Sequence, residues 1–447
     1  MFGQPIEAEY PATFRKSDTK ALSDVIKRHQ SVELIGMKRV GISNFLRYYL
    51  YNPAVKSTYF SPTKKETFLF IPIDLNNLIE RERYPFWLLT FKRILDAVEH
   101  SDFPDSTKIN IEKIFDTAIQ YKESFFIVDG IRKALTELTK QKITPVLFMI
   151  RFDRLIATVT RDLFANLQGL YDSCGGKLVY VFTSYQRLYY LKPEVFDKHT
   201  MSIFSHPVYV QPAQKDDMDI IFSTFSDRYM LKIDDEVKKT LIEMSGGHVN
   251  YLQLALIILK ERIDAGHKIS DILESLENDE RIELQSEELF SYLDEEEQNL
   301  LKVIAVQKIT HTSKLSPGSK SVVELKDEGE YTWNTGMIIN DKHPPHIFSP
   351  LFEKYIQRLS QSGKAGKEET YLTSKEHKLF TLLKDHIDEI CERELILETV
   401  WAEYEAIGVS DWAVDRLVAR LRKKLIEMKS KYKIRTIRTR GFMLVAQ

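Results

Sequence analysis

The stretch SVELIGMKRVGIS, residues 31–43, decides how the first half of the chain is interpreted. An apolar run leads to Gly36, Gly41 follows after four intervening residues, and Ser43 lies two positions further on. This spacing, between an apolar strand and a helix, is typical of a phosphate-binding loop, whose backbone amides and helix dipole hold anions. Such a loop carries Lys directly before its Ser or Thr, where this chain has Ile42. The stretch therefore predicts the scaffold of a nucleotide site without its principal cation.

Short apolar runs alternate with helical patterns after this loop, and they predict a parallel sheet covered on both faces. The predicted strands are SVELI at 31–35, ETFLFIPIDL at 66–75, TPVLFMI at 144–150 and KLVYVFTS at 177–184. A helix is expected at 19–29, and from about residue 212 the pattern becomes helical. FFIVD, ending at Asp129, has the form of a strand followed by an acid, but residues 124–141 are predicted to form one long helix.

These landmarks resemble those of the P-loop ATPases of the AAA+/STAND type, near the archaeal ATPase and origin-recognition groups. Residues 31–43 resemble the strand and loop of that family, and TPVLFMIRFDRL at 144–155 resembles its second, acidic motif. LVYVFTSYQRL at 178–188 resembles its sensor strand, and EMSGGHVNYLQLA at 243–255 resembles its lid-helix region. The resemblance implies an α/β, P-loop NTPase-like fold, in which a parallel sheet is followed by a helical lid.

The charged groups that the chemistry of this family needs are missing. Its second motif ends in two acids, one that helps to hold Mg²⁺ and one that activates water, where this chain has Ile150 and Arg151. We therefore predict an ATPase-like module that is not an enzyme, with no catalytic residue and no metal site. The loop's backbone could still hold a phosphate, but ATP or ADP is not expected as a cofactor. The residues of this degenerate site are Gly36, Lys38, Arg39, Gly41 and Ser43.

The C-terminal end of the chain has an uneven charge. The whole chain of 447 residues has a net charge of −2, but from Arg416 to Gln447 it carries 11 basic residues against one acid, Glu427. A near-neutral chain with one basic end indicates a local contact with a polyanion.

The apolar residues of the same region have a clear periodicity. LTSKEHKLFTLLKDH at 372–386, ERELILETVW at 392–401 and SDWAVDRLVARLRKKL at 410–425 predict three helices, and KIRTIRTRGFMLV at 433–445 predicts a β-hairpin. In the third helix, Arg416, Arg420, Lys423 and Lys424 are expected opposite a buried stripe formed by Val414, Leu417, Val418, Leu421 and Leu425. A basic face of this kind suits the major groove of DNA.

Residues 372–444 resemble the C-terminal DNA-binding domain of OmpR-type response regulators. The resemblance implies a winged helix-turn-helix that binds double-stranded DNA, and in that family the positions of Arg420, Arg422 and Arg438 commonly contact DNA. The chain departs from the family in three places: Trp412 replaces a frequent phosphate-contacting Arg, Leu417 a frequent His and Thr439 the first wing Gly. The candidate DNA-binding residues are Trp412, Arg416, Arg420, Arg422, Lys423, Lys424, Arg435, Arg438 and Arg440.

The middle of the chain, residues 287–360, is similar to the winged helices that often follow such ATPase lids. A hairpin is predicted around YTWNTGMIIN at 331–340. Its candidate recognition segment, KSVVELKDEGE at 320–330, is acidic on balance, which favours packing between domains over contact with DNA phosphate.

The predicted fold class is a P-loop NTPase-like α/β module followed by two winged helix-turn-helix domains. The predicted divisions are an ATPase-like core at 1–205, a helical lid at 206–275, a packing winged helix at 276–360, a linker at 361–370 and a DNA-binding winged helix at 371–447. No apolar run is long enough to span a bilayer and no leader is evident at the N-terminus, so a cytoplasmic protein without membrane contact is expected.

The predicted function is a DNA-binding transcriptional regulator with an inactive ATPase-like module, and a homo-oligomer is compatible with this function. Two other interpretations stay open. One is a nucleotide-gated switch ATPase that controls DNA binding, which the residues at 42, 150 and 151 disfavour. The other is a protein-interaction scaffold, which the basic residues of 416–440 disfavour.

Overall fold

A computed structural model of the chain describes residues 4–61, 66–196, 206–310, 329–340, 344–362, 372, 374–400, 411–437 and 440–446. Its contacts divide the chain into two compact units. The first unit comprises Met1–Thr224, Gly246–Asn250 and Glu330–Met337, and the second comprises Phe225–Ser245, Tyr251–Gly329 and Ile338–Gln447.

The first unit is built on a parallel sheet, which confirms the predicted fold class. The sheet has five strands. The strands are β1 Val32–Gly36, β2 Thr67–Asp74, β3 Ile143–Ile150, β4 Val179–Ser184 and β5 His206–Val210, in the order β2-β3-β4-β1-β5. Strand β1 lies between β4 and β5, since Leu34 pairs with Thr183 of β4 and with Val208 of β5. Residues of β1 and β4 are buried throughout, as expected for strands covered on both faces.

Helices cover this sheet and complete one buried core. They are α1 Lys16–Ile26, α2 Ile42–Tyr51, α3 Pro53–Tyr59, α4 Arg83–Glu99, α5 Asp105–Ile119, α6 Ser124–Lys140, α7 Arg161–Ser173 and α8 Leu188–Leu191. Phe91 of α4 and Leu135 of α6 pack with Leu147 of β3 and Tyr180 of β4 in this core. α6 is one continuous helix, so the long-helix prediction is confirmed and FFIVD forms no strand.

A parallel sheet with a glycine loop between an inner strand, β1, and helix α2 is the P-loop NTPase fold. One strand of the sheet, β5, was not among the predicted ones. Its sequence, HPVYV, contains a proline, and only two of its five residues are buried, so it has little apolar pattern.

The helices after the sheet are α9 Lys215–Tyr229, α10 Asp235–Ser245, α11 Val249–Asp264, α12 Ile269–Ser275, α13 Glu280–Ser291, α14 Glu295–Thr310, α15 Glu330–Asn334 and α16 Pro350–Ser362. α10, α12, α13, α14 and α16 lie in the second unit, where α16 packs on α10, α13 and α14. None of the helices that the structure describes is long and apolar enough to cross a membrane.

The hairpin predicted around residues 331–340 is shorter and later than expected. YTWN belongs to α15, and the antiparallel pair is β6 Ile338–Ile339 with β7 His346–Ile347. Gly336, with φ of 75°, follows α15 and donates its N–H to Trp333 O at 3.1 Å, which ends the helix. Because the helix ends only here, the first strand of the hairpin begins at Ile338. The predicted recognition segment at 320–330 lies outside the described residues up to Glu328.

The C-terminal winged helix, defined as residues 374–446, has three helices and a three-stranded antiparallel sheet. The elements are α17 Ser374–Asp385, β8 Cys391–Glu392, α18 Arg393–Val400, α19 Asp411–Glu427, β9 Tyr432–Ile437 and β10 Gly441–Ala446. Its core joins Leu379 and Leu383 of α17 to α19 and to Leu444 of β10. The stripe predicted on α19 is buried at every position: Val414, Leu417, Val418, Leu421 and Leu425.

Candidate functional site

The predicted phosphate-binding loop runs from Gly36, the last residue of β1, to Gly41, which precedes α2 with φ of 112°. Such a φ favours glycine, because a Cβ would clash with the backbone. Met37 and Val40 are buried inside the loop. A Cβ on Gly36 would lie 3.1 Å from Ile42 Cδ1 and 3.2 Å from Val40 Cγ1. The Ile42 side chain therefore lies back toward the first glycine, and the backbone oxygen of Val210 would lie 2.9 Å from the same Cβ.

Two buried side chains from elsewhere in the first unit hold the carbonyl groups of this loop. His248 Nε2 lies 2.9 Å from Lys38 O, and the Arg15 guanidinium donates to Val40 O at 3.3 Å. Burial lowers the pKa of His248 to about 4, so the ring is neutral at pH 7 and must carry its proton on Nε2 to donate. Val249 Cγ2 would lie 2.6 Å from a Cβ on Gly41. These contacts fix the loop from within the protein.

The other predicted residues of the loop point in different directions. Lys38 is half-buried, with its ammonium 6.0 Å from the ring centroid of Tyr185, which follows β4. Arg39 is exposed and has a positive φ of 61°. Ser43 is half-buried in the first turn of α2. The structure thus adds Tyr185 to the residues that the sequence predicted here.

The second motif carries an isoleucine and an arginine at the two positions where the family has acids. β3 ends at Ile150, and the N–H of Arg151 donates to Thr183 Oγ1 at 2.6 Å. The next acid is Asp153, whose pKa burial raises, although nearby cations including Lys38 favour its charged form. Among the described residues, no group of three or more His, Cys, Asp or Glu side chains could hold a metal ion. The end of β3 therefore presents Arg151 before its first acid, Asp153.

Helix α19, the candidate reading helix, turns an outer face to solvent. Asp415, Ala419 and Lys423 are exposed there, opposite the buried stripe. Trp412 and Arg416 belong to α19 by their backbone, but their side chains lie outside the described residues. Lys423 is thus the predicted DNA-binding residue that the structure places on the outer face of α19.

Arg422 lies on the flank of α19 that faces the wing, the hairpin of β9 and β10. Its Nε donates to Ile434 O at 3.0 Å, and its guanidinium donates to Thr436 Oγ1 at 2.6 Å. The guanidinium also lies 5.8 Å from the ring centroid of Phe442 on β10. Arg422 therefore fixes the wing to α19.

Arg420 and Lys424 lie on the opposite flank of α19, where they face α17. Lys424 Nζ is 2.8 Å from Glu376 Oε2, and Arg420 Nε is 3.4 Å from Glu376 Oε1. The Glu376 side chain is fully buried, and both cations are half-buried. The expectation that Arg420 and Lys424 lie opposite the stripe is therefore corrected, because the buried carboxylate draws both toward α17.

The wing carries exposed cations of its own. Arg435 is exposed on β9, and Arg440 is exposed directly before β10, with its guanidinium 3.9 Å from Glu392 Oε1. Arg438, at the predicted wing tip, lies outside the described residues. Three more exposed cations precede or begin β9, namely Lys429, Lys431 and Lys433.

Sequence reasoning missed three residues that organise these sites. Arg15 and His248 lie 25 and 210 positions from the loop residues that they contact, so no local pattern connects them. Glu376 did leave a signal, because it stands three, four and seven residues before Leu379, Phe380 and Leu383 and so shares their buried face. An acid on an apolar stripe requires a cation nearby.

The helices, the hairpin and the cations of the C-terminal region define a winged helix-turn-helix of the kind that binds nucleic acid. Residues 367–444 match the family model described as "Transcriptional regulatory protein, C terminal", and this part of the chain is a domain of that family. The chain thus combines a transcriptional regulatory DNA-binding domain with a first unit that has an ATPase-like fold. No curated protein sequence matches the chain.

Several solved structures are similar to a large part of the chain. The Walker-type ATPase PABY2304 of Pyrococcus abyssi is 17% identical, with a TM-score of 0.43 over 78% of this chain and 99% of that chain. The Aeropyrum pernix ORC2 protein in its ADP form is 12% identical, with a TM-score of 0.42 over 82% of this chain and 97% of that chain. Cdc6p from Pyrobaculum aerophilum is 13% identical, with a TM-score of 0.37 over 81% of this chain and 97% of that chain.

Proposed function

We propose that the protein is a transcriptional regulator that binds double-stranded DNA through α19 and the wing. The observation that supports this function is the set of exposed cations on both elements of the family domain: Lys423 on α19, and Arg435 and Arg440 on the wing. The outer face of an amphipathic helix fits the major groove, and cations on either side neutralise phosphate. The reading of bases by Arg416 and Arg420 and the contact of Arg438 with the minor groove remain part of this proposal.

The first unit in this proposal is an ATPase-like module that hydrolyses no nucleotide. Ile42 replaces the cation that would neutralise the β- and γ-phosphates, and Ile150 and Arg151 replace the two acids. The contact of His248 with Lys38 O fixes the loop from within the protein. Purified protein is expected to release phosphate from ATP or GTP at the background rate. Turnover that disappears in Gly41→Pro would instead favour the nucleotide-gated switch.

DNA binding is tested by titrating the full chain with double-stranded DNA selected from a random library, at several salt concentrations. The variant Lys423→Glu with Arg435→Glu should lower the affinity at least tenfold at low salt, because it replaces two phosphate-binding cations by anions. The matched control is Lys133→Glu with Lys239→Glu, which makes the same charge change at side chains that are 65% and 69% exposed in other helices. Equal losses in both variants would mean that only the net charge matters, and the proposed interface would be wrong.

Cytoplasmic action and self-association belong to the same proposal. A regulator of this class reaches chromosomal DNA in the cytoplasm, and two copies on adjacent half-sites would bind more tightly than one. Sedimentation of the protein with one and with two selected sites on a duplex tests the second point. A single copy bound to both duplexes at saturating protein would exclude pairing on DNA.

A further inference from the structure

Helix α13 contacts the C-terminal winged helix through its acids, inside the second unit. Arg420 of α19 lies 3.1 Å from Glu280 Oε1, and Lys375 of α17 lies 2.8 Å from Glu280 Oε2. One turn along α19, Lys424 forms an ion pair with Glu287. Two carboxylates of α13 thus contact three cations of the winged helix.

The spacing of these residues places the acids of α13 opposite the cations of α19. Glu280 and Glu287 are seven residues apart, which places both on one face of α13, two turns from each other. Arg420 and Lys424 are four residues apart and share one face of α19. The side chains are mostly withdrawn from solvent, with 15% of Lys424 and 21% of Glu287 exposed. Water and salt therefore screen these pairs less than ordinary surface pairs.

A carboxylate of the winged helix itself, Glu376, also contacts these cations. It determines the net charge of the surface that is exposed when α13 separates from the winged helix. In the contact, Arg420, Lys424 and Lys375 face Glu280, Glu287 and Glu376, so the charges balance. Glu376 belongs to α17 and stays with the winged helix, whereas the two acids of α13 can be removed with it. The separated surface is left with an excess of two positive charges.

We propose that α13 is an intramolecular competitor of DNA. Its two carboxylates occupy cations that attract phosphate by the same charge-assisted contacts, so tight DNA binding requires α13 to leave the reading helix. This inference rests on the proposed DNA-binding function and adds a regulatory device to it. With α13 bound, its carboxylates cover the cations of the winged helix. With α13 separated, a cationic flank is exposed beside the outer face of α19.

The first test neutralises the acids of α13 in the full chain. Glu280→Gln with Glu287→Gln should bind selected DNA about 5- to 30-fold more tightly at low salt, since several partly buried ion pairs no longer compete. The matched control is Glu295→Gln with Glu296→Gln, which makes the same charge change at exposed acids of the first turn of α14. An equal gain in both variants, or no gain in either, overturns the inference while leaving DNA binding established.

The second test does not depend on the altered charges. Glu280→Cys with Lys375→Cys, joined by a cleavable bis-maleimide, locks α13 to the winged helix, and both native cysteines, Cys174 and Cys391, are buried. The locked chain should lose at least tenfold in DNA affinity and regain it when the linker is cleaved. Equal affinity before and after cleavage refutes the competition. A complete lack of DNA binding by every form of the chain at low salt refutes the proposed function, and the inference with it.

Discussion

Three adjacent cations of α19 should respond differently to replacement by alanine, because the structure gives each a different environment. Arg422 is hydrogen-bonded to β9, Lys423 is exposed on the outer face, and Lys424 is paired with the buried Glu376. Sequence alone presents them as one basic run. We expect Lys423→Ala to affect DNA binding without a loss of stability, and Arg422→Ala and Lys424→Ala to lower the stability of the winged helix.

The magnitudes follow from these environments. Arg422→Ala removes two charge-assisted hydrogen bonds at a partly exposed site, which costs about 1–2 kcal/mol of local unfolding free energy. Lys424→Ala removes an ion-pair partner of both Glu376 and Glu287. Arg420 stays 3.4 Å from Glu376, so the loss is about 1–3 kcal/mol, less than for a carboxylate without any cation. Lys423→Ala should change stability by no more than about 0.5 kcal/mol. It should lower the slope of log affinity against log salt by about 0.9, the effect of one phosphate contact.

Hydrogen exchange of peptides from α19 and β9 measures local stability in the full chain, and titration of selected DNA at several salt concentrations measures binding. The three variants serve as controls for one another, since each removes one positive charge and their positions are consecutive. If Lys423→Ala accelerates exchange as much as Lys424→Ala, the assignment of environments is refuted. An unchanged salt slope for Lys423→Ala would show that this residue contacts no phosphate.

Three further results are expected. Gly175→Ala should cost the first unit about 1 kcal/mol of unfolding free energy in urea, and Gly41→Ala should cost more. Both glycines have positive φ, but only a Cβ at position 41 would meet Val249, at 2.6 Å. Equal losses would exclude this close contact. The unfolded chain protonates His248 near its ordinary pKa of 6.5 and the folded chain only near about 4. This residue should therefore remove about 3 kcal/mol of stability as pH falls through that window, and an NMR titration midpoint near 6.5 in the folded protein would contradict it. A fragment of residues 368–447 should fold alone, because its apolar core is self-contained, and an unfolded NMR spectrum would refute that boundary.

The parts of the fold with continuous patterns could be predicted from the sequence. β3 and β4 contain continuous apolar runs at 146–150 and 179–182, and the buried stripe of α19 repeats at helical spacing. The failures concern short elements without such a pattern. β5 has five residues with a proline, and α15 has five residues, four of which lie in the stretch predicted as a hairpin.

The candidate sites were predictable in their residue types but not in their contacts. The identity of Ile42 shows that the loop lacks its lysine, whereas the contact of His248 with the loop depends on the tertiary fold. On α19, Arg420 and Lys424 stand at the border between the buried and the outer face. A helical wheel leaves such border positions open, and Glu376 on a neighbouring helix decides which way they turn.

The closed packing of the loop in the first unit has a thermodynamic consequence for the living cell. A site that is completed by its ligand gains stability with ligand concentration, by RT ln(1 + [L]/Kd). Here Arg15 and His248 hold the carbonyl groups of the loop, and Ile42 and Val40 lie beside its first glycine. Our proposal that this loop takes no nucleotide therefore predicts the same melting temperature for the first unit with and without ATP, and an abundance that does not follow the ATP supply.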